Sequence, residues 1–96
     1  MLLGMLFMVI ERFRGSAGGI EAVGARFRER GRLMPEDVTY RASWVDPAGT
    51  VCYQLMEAPT RAALEPWTRA WEDLVEFEID EVTASAEFWA GREERA

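Results

Sequence analysis

The chain contains no histidine and no lysine, and Cys52 is its only cysteine in 96 residues. Without histidine, the most familiar general base and metal ligand is missing. Without lysine there is no Schiff-base or lysine-nucleophile chemistry, and all eleven basic residues are arginine. A lone cysteine excludes an internal disulfide and any multi-cysteine metal site. No cofactor and no metal is therefore expected. Long hydrophobic runs are also missing. The apolar stretch from Met1 to Ile10 falls short of the roughly 20 residues that span a bilayer. It lacks a basic leader and a small-residue cleavage site, so a cytoplasmic address is expected. Residues 1–4 read as an irregular start before a clean strand pattern. Positive charge is scarce: 17 acidic against 11 basic residues give a net charge of −6, which disfavours nucleic acid and anionic membrane as partners. What is present is 49% apolar and 29% charged, the balance of one globular domain. A domain this small buries only about 60–65% of its unfolded surface, so its core is thin and a partner subunit would help.

The first segment, Met5–Phe13, is a continuous apolar run that predicts a central strand with both faces covered. Gly15-Ser-Ala-Gly-Gly19 breaks it as a flexible loop. It fits no phosphate-binding glycine motif. Ile20, Val23 and Phe27, with Met34 less regularly, then share a helical face. Gly31 as terminator and Pro35 beyond it predict a helix from Gly19 to Arg30. Val38–Val45 alternates as a strand, Asp46-Pro47-Ala48-Gly49 has type I turn preferences, and Thr50–Glu57 returns as the next strand. Thr60 is placed to cap a second helix whose stripe is Leu64, Trp67, Trp71 and Leu74, with Pro66 forcing a kink or restart. Val75–Asp80 alternates strictly as a fourth strand. Residues 84–96 form a tail or short helix presenting Phe88 and Trp89, outside a domain of residues 5–83.

This order, β-α-β-β-α-β, predicts an α+β fold of ferredoxin-like plan: an antiparallel four-stranded sheet, order 4-1-3-2, with two helices on one face. Alternation assigns Phe7, Val9, Tyr40, Trp44, Tyr53 and Leu55, with Val38, Val51, Val75, Phe77 and Ile79, to the helix side. The other side mixes Leu6, Met8, Ile10, Val45, Cys52 and Met56 with Arg12, Arg41, Gln54, Glu76 and Glu78. That face is too apolar for water, which predicts a second copy of the sheet packed on it, a homodimer.

The strings Phe7-Met-Val-Ile-Glu-Arg-Phe13, Arg26-Phe-Arg-Glu-Arg-Gly-Arg32, Ser43-Trp44, Gln54-Leu-Met-Glu57 and Trp67…Trp71-Glu-Asp-Leu-Val-Glu-Phe77 resemble a family of small bacterial proteins known as a domain of unknown function. The likeness covers about Met5 to Ala86 and departs at Gly15–Gly19 and Pro66. The family resembles the dimeric α/β-barrel superfamily, in which two ferredoxin-like sheets pair into one barrel. That resemblance implies a range of activities: cofactor-independent monooxygenases on polyketide-like aromatics, isomerases, haem enzymes and plain ligand binders. Haem chemistry is disfavoured here because no axial histidine exists. The resemblance carries over no catalytic residue.

Three groups of residues carry candidate chemistry. Tyr40, Trp44, Tyr53, Trp67, Trp71 and Phe27 are expected between sheet and helices, either as ordinary core or as a pocket for a planar apolar ligand. Glu11 and Glu57 close their strands on the apolar face, near Arg32. They are either solvated strand ends or a general base with a raised pKa. Arg12 and Arg41 meet Glu76 and Glu78 on the opposite face as salt bridges that set a dimer register, or as an anion site. The arginine run Arg26, Arg28, Arg30 and Arg32 reads as a solvated helix end, the acidic residues from Glu72 to Glu81 as a charged surface, and Cys52 as inert packing. The leading expectation is a small-molecule-binding protein. The alternatives are a cofactor-independent monooxygenase or isomerase acting on an aromatic or polyketide-like substrate, and a structural or regulatory protein docking through Phe88–Trp89.

Overall fold

A computed structural model describes residues 4–95, with side chains from Gly4 to Arg92. The expected irregular start (residues 1–3) and the side chains ending the tail (residues 93–96) lie outside the described residues. The architecture is α+β. Strand β1 (Met5–Phe13) leads through a 3-10 turn (Gly15–Ala17) to helix α1 (Gly19–Arg30), then strands β2 (Thr39–Val45) and β3 (Val51–Ala58). A second 3-10 turn (Ala62–Leu64) precedes α2 (Glu65–Trp71), strand β4 (Val75–Val82) and α3 (Ser85–Arg95). The four strands form one sheet ordered β2-β3-β1-β4, and every neighbouring pair is antiparallel.

Local chemistry explains the boundaries. Helix α1 starts after Gly18, where a φ of 108° disfavours any side chain and an added Cβ would stand only 2.9 Å from the Ala22 methyl. It stops at Gly31, whose N–H donates to the Phe27 carbonyl at 2.8 Å. Pro66 sits in the first turn of α2, where its missing N–H breaks no helical bond. The Thr60 hydroxyl accepts the Ala63 N–H at 3.2 Å and caps the preceding 3-10 turn. The β2–β3 turn is held by Asp46, whose Oδ1 accepts the Thr50 and Val51 N–H groups at 2.7 and 2.8 Å. Those backbone bonds, with one from the Thr50 hydroxyl, keep the Asp46 carboxyl below its ordinary range.

Helices α1 and α2 cover one face of the sheet, over a core of Phe7, Val9, Met56, Leu64, Trp67 and Val75. Arg26 joins the helical layer together rather than ending α1 in solvent as expected. Its guanidinium grips both oxygens of Asp73 at 2.7 and 2.6 Å and donates to the Ala70 carbonyl at 2.9 Å. Helix α3 turns Phe88 and Trp89 to solvent, stacked edge to face at 5.3 Å. Among the described residues, no helix is long and apolar enough to cross a membrane.

The face assignment from sequence needs two corrections. Strand β3 is in the opposite phase: Phe7 pairs with Met56, Val9 with Gln54 and Glu11 with Cys52, so Cys52, Gln54 and Met56 face the helices. Val51, Tyr53 and Leu55 therefore lie on the outer face, beside Met8, Ile10 and Arg12. Strand β2 changes sides part-way. Its register with β3 slips between Tyr40 and Ala42, a β-bulge, after which Trp44 pairs with outward-facing Tyr53. Trp44 and Tyr53 are thus outside, at 56% and 40% exposure, and not between sheet and helices. Val38 and Tyr40, before the bulge, keep the inner side with Met56, while Ser43 and Val45 join Gln54 and Cys52 beyond it.

Candidate functional site

Between the inner sheet face and the helices lies a cavity of about 300 Å³. Its floor is Glu11 from β1 with Cys52 and Gln54 from β3, neighbours across the ladder. Trp67 and Trp71 of α2 wall one side, and Ile20 and Phe27 of α1 stand at the solvent edge. The α1 stripe supplies that rim because Ile20, Val23 and Phe27 fall on one helical face.

Glu11 is the buried carboxylate of the core, 6% exposed. Gln54 Nε2 donates a hydrogen bond to its Oε2. Burial pushes the Glu11 carboxyl up from 4.5 to about 7, against the opposing pull of the Gln54 hydrogen bond and the Arg32 charge. The group therefore stands near half-ionisation at neutral pH, where a carboxyl both accepts and returns a proton. Cys52 is driven the other way as a reagent. Burial and the neighbouring Glu11 charge, opposed by Arg32, raise its thiol to about 11 and keep it protonated. Gln54 Oε1 is buried with no hydrogen-bond partner.

Arg32 closes the opposite side. Its guanidinium lies 3.7 Å from the Tyr40 ring centre and 5.2 Å from that of Phe27. The loop that carries it is bent to suit: Gly31 has φ of 71° and Leu33 a φ of 60°. A left-handed leucine costs about 1 kcal/mol. The tie that holds this bend is the Trp71 indole N–H, which donates to the Arg32 carbonyl at 2.9 Å. Below, the Tyr40 and Ser43 hydroxyls are hydrogen-bonded at 2.7 Å.

Of the candidates named from sequence, Glu11, Phe27, Arg32, Trp67 and Trp71 converge on this cavity, with Tyr40 stacked beneath Arg32. Trp44 and Tyr53 do not, for the reasons of register given above. Nor does Glu57. It pairs with Leu6, five positions and one face away from the Glu11–Cys52 rung, and meets Arg41 at 3.0 Å beside a second cleft with Asp37 and Thr39. Arg12 does pair across the outer face, with Glu78 at 2.9 Å, while Arg41 turns to Glu57 instead of Glu76 or Glu78. Sequence reasoning missed Gln54, Ser43 and Cys52. The one available signal was the even-numbered set Cys52, Gln54, Met56 and Ala58, apolar except for a single amide. Among the described residues, no three His, Cys, Asp or Glu side chains gather where they could hold a metal ion.

Compared with known protein families, residues 5–95 match the domain of unknown function DUF3303. The chain belongs to the DUF3303 family. Neither the curated proteins nor the solved structures compared with it yield a match. The whole of the cavity, from Glu11 to Trp71, falls inside the DUF3303 span, so the candidate site lies within the family's own domain.

Proposed function

We propose that this protein binds a small apolar or aromatic molecule between its sheet and helices. The observation that carries this reading is the cavity itself: apolar walls, an open rim at Phe27 and Ile20, and one convergent set of polar groups at Glu11, Gln54 and Arg32. A volume of about 300 Å³ is at the small end for ligand sites. A mostly apolar lining with few polar anchors is the usual pattern of such sites. One feature favours a second reading, an enzyme of the cofactor-independent monooxygenase or isomerase kind. A carboxyl at about 7 inside an apolar cavity is matched to moving a proton to or from a bound ring.

The unit that carries the cavity is, in this proposal, a ferredoxin-like βαββαβ fold paired with a second copy through the outer sheet face into a dimeric α/β barrel. Leu6, Met8, Ile10 and Leu55 lie in adjoining rows on that face, flanked by exposed Trp44 and Tyr53. The face carries charge of both signs, Arg12 and Arg41 with Glu57, Glu76, Glu78 and Asp80, as a surface that pairs with its own copy about a two-fold axis requires.

Native mass spectrometry of freshly purified protein tests both parts. A dimer with extra mass that is lost on denaturation is the expected result. A dimer without extra mass, followed by no saturable tryptophan quenching by apolar aromatics, would overturn the binding reading. A monomer at micromolar concentration would overturn the pairing.

A further inference from the structure

The cavity floor offers one polar atom to an incoming molecule. Glu11 uses Oε2 to accept from Gln54, and its Oε1 has no hydrogen-bond partner among the described residues. Gln54 Oε1 also has no partner among the described residues, but it is buried from solvent. The Ser43 and Tyr40 hydroxyls satisfy each other. Arg32 lies opposite the floor with its guanidinium over the Tyr40 and Phe27 rings, which leaves its in-plane N–H groups as the competing anchor for an anion. What is left open at the floor itself is a carboxylate oxygen, an acceptor whenever Glu11 is ionised.

Resting on the binding reading above, we infer that the ligand is a planar, uncharged molecule carrying a hydroxyl or N–H group, which donates to Glu11 Oε1 while its ring lies against Trp67, Trp71 and Phe27. The chemical argument is one of pairing. A buried carboxylate with a single donor is left short of hydrogen bonds, and a ligand donor makes good that deficit where an anion would add a second negative charge. An apolar ring without a donor fills the same space and leaves the carboxylate as it was. The charged and titratable groups that line the cavity with Glu11 are Arg28, Arg32 and Cys52, and of these only the arginines favour an anion. Phe27 and Arg32 also stack over the mouth, which suits a flat ring. In this arrangement Gln54 is a positioning residue: it holds one carboxylate oxygen so that the other faces the cleft.

The test uses three bicyclic probes of nearly equal shape: 2-naphthol, 2-methoxynaphthalene and 2-naphthoate. The protein carries Trp44→Phe and Trp89→Phe, two exposed sites away from the cavity, so that all emission comes from Trp67 and Trp71. At pH 8, where Glu11 is mostly ionised, a hydrogen bond to a charged acceptor is worth enough to make 2-naphthol bind about tenfold more tightly than its methyl ether. The preference is expected to vanish in Glu11→Met, which keeps the volume and removes the acceptor. Equal binding of naphthol and ether by the unaltered floor would overturn the inference and leave the binding reading standing. Tighter binding of 2-naphthoate would also overturn it, by making Arg32 the anchor. Quenching by none of the three would overturn both. The comparison of probes needs no floor variant, so a Glu11→Met chain that fails to fold leaves the decision intact.

Discussion

Both faces of the sheet are rich in apolar side chains, and helices α1 and α2 cover one of them. On the inner face Phe7, Val9, Met56 and Val75 are sealed by α1 and α2, and the one carboxylate among them, Glu11, has lost its water. On the outer face Leu6, Met8, Ile10 and Leu55 lie among solvated charges, and the Arg12–Glu78 pair at 2.9 Å is half exposed on both sides. The same residue type thus has different chemistry on the two sides. A glutamate facing the helices becomes a proton-exchanging group near neutrality. A glutamate facing out, such as Glu78, forms a water-screened ion pair of the kind worth at most about 1 kcal/mol. Hydrophobicity along a strand does not separate these fates; the layer that covers it does.

A matched pair of truncations on adjacent β3 residues separates the two faces most strongly. Met56→Ala, on the covered face, is expected to cost about 2–5 kcal/mol of stability, read from urea unfolding. Leu55→Ala, one residue away on the outer face, is expected to cost less than about 1.5 kcal/mol in protein diluted far enough to separate two copies. Equal losses would mean that the outer face is as buried as the inner one in solution.

Next in size is the pH dependence that Glu11 imposes. In the folded chain Glu11 keeps its proton up to about pH 7, whereas in the unfolded chain it releases it near 4.5. Between those values the folded state binds more protons, so stability falls as pH rises from 4.5 through 7. The loss is about 3 kcal/mol once both forms are ionised. Glu11→Gln removes this slope, and the variant should gain on the parent protein between pH 5 and pH 8. Parallel stability curves across that range would show that Glu11 ionises as easily inside as outside.

The outer face is probed by Leu55→Arg, which places a charge amid Met8 and Ala42. In the proposed pair it halves the mass read by light scattering while leaving the circular dichroism spectrum unchanged. An unaltered mass would show that this face does not hold two copies together. The smallest effect is expected at Arg26→Gln, which releases Asp73 from its bidentate grip at the exposed edge of the helical layer. Asp73, held below its ordinary range chiefly by that hydrogen bond, should rise toward it, visible in a carboxyl titration by NMR.

Much of the local structure was legible. Gly18 and Gly31 bracket α1 because each needs a backbone conformation that side chains resist, and the Asp46–Gly49 turn follows from residues with strong turn preferences. Pro66 announced a helix start for the same kind of reason. Five of the candidate site residues, Glu11, Phe27, Arg32, Trp67 and Trp71, were also picked out by type and periodicity. Trp44, Tyr53 and Glu57 were placed on the wrong face, and Gln54 and Cys52 with them. Strand β3 is apolar in both phases, so alternation by itself had two solutions. In β2 no single alternation is correct, because the bulge after Tyr40 adds a residue and turns the rest of the strand over.

The residues alone fix which side-chain chemistries are missing and where most helices, strands and turns lie, although the second helix, expected from Thr60 through Leu74, is a 3-10 turn followed by the short α2, Glu65–Trp71. Those features depend on backbone preferences and side-chain spacing within a few residues. Only the tertiary structure decided that Glu11 meets Gln54 under Arg32 while Glu57 meets Arg41 on the far side. That choice belongs to the pairing register between strands some forty residues apart, and a shift of one residue would have exchanged the two faces.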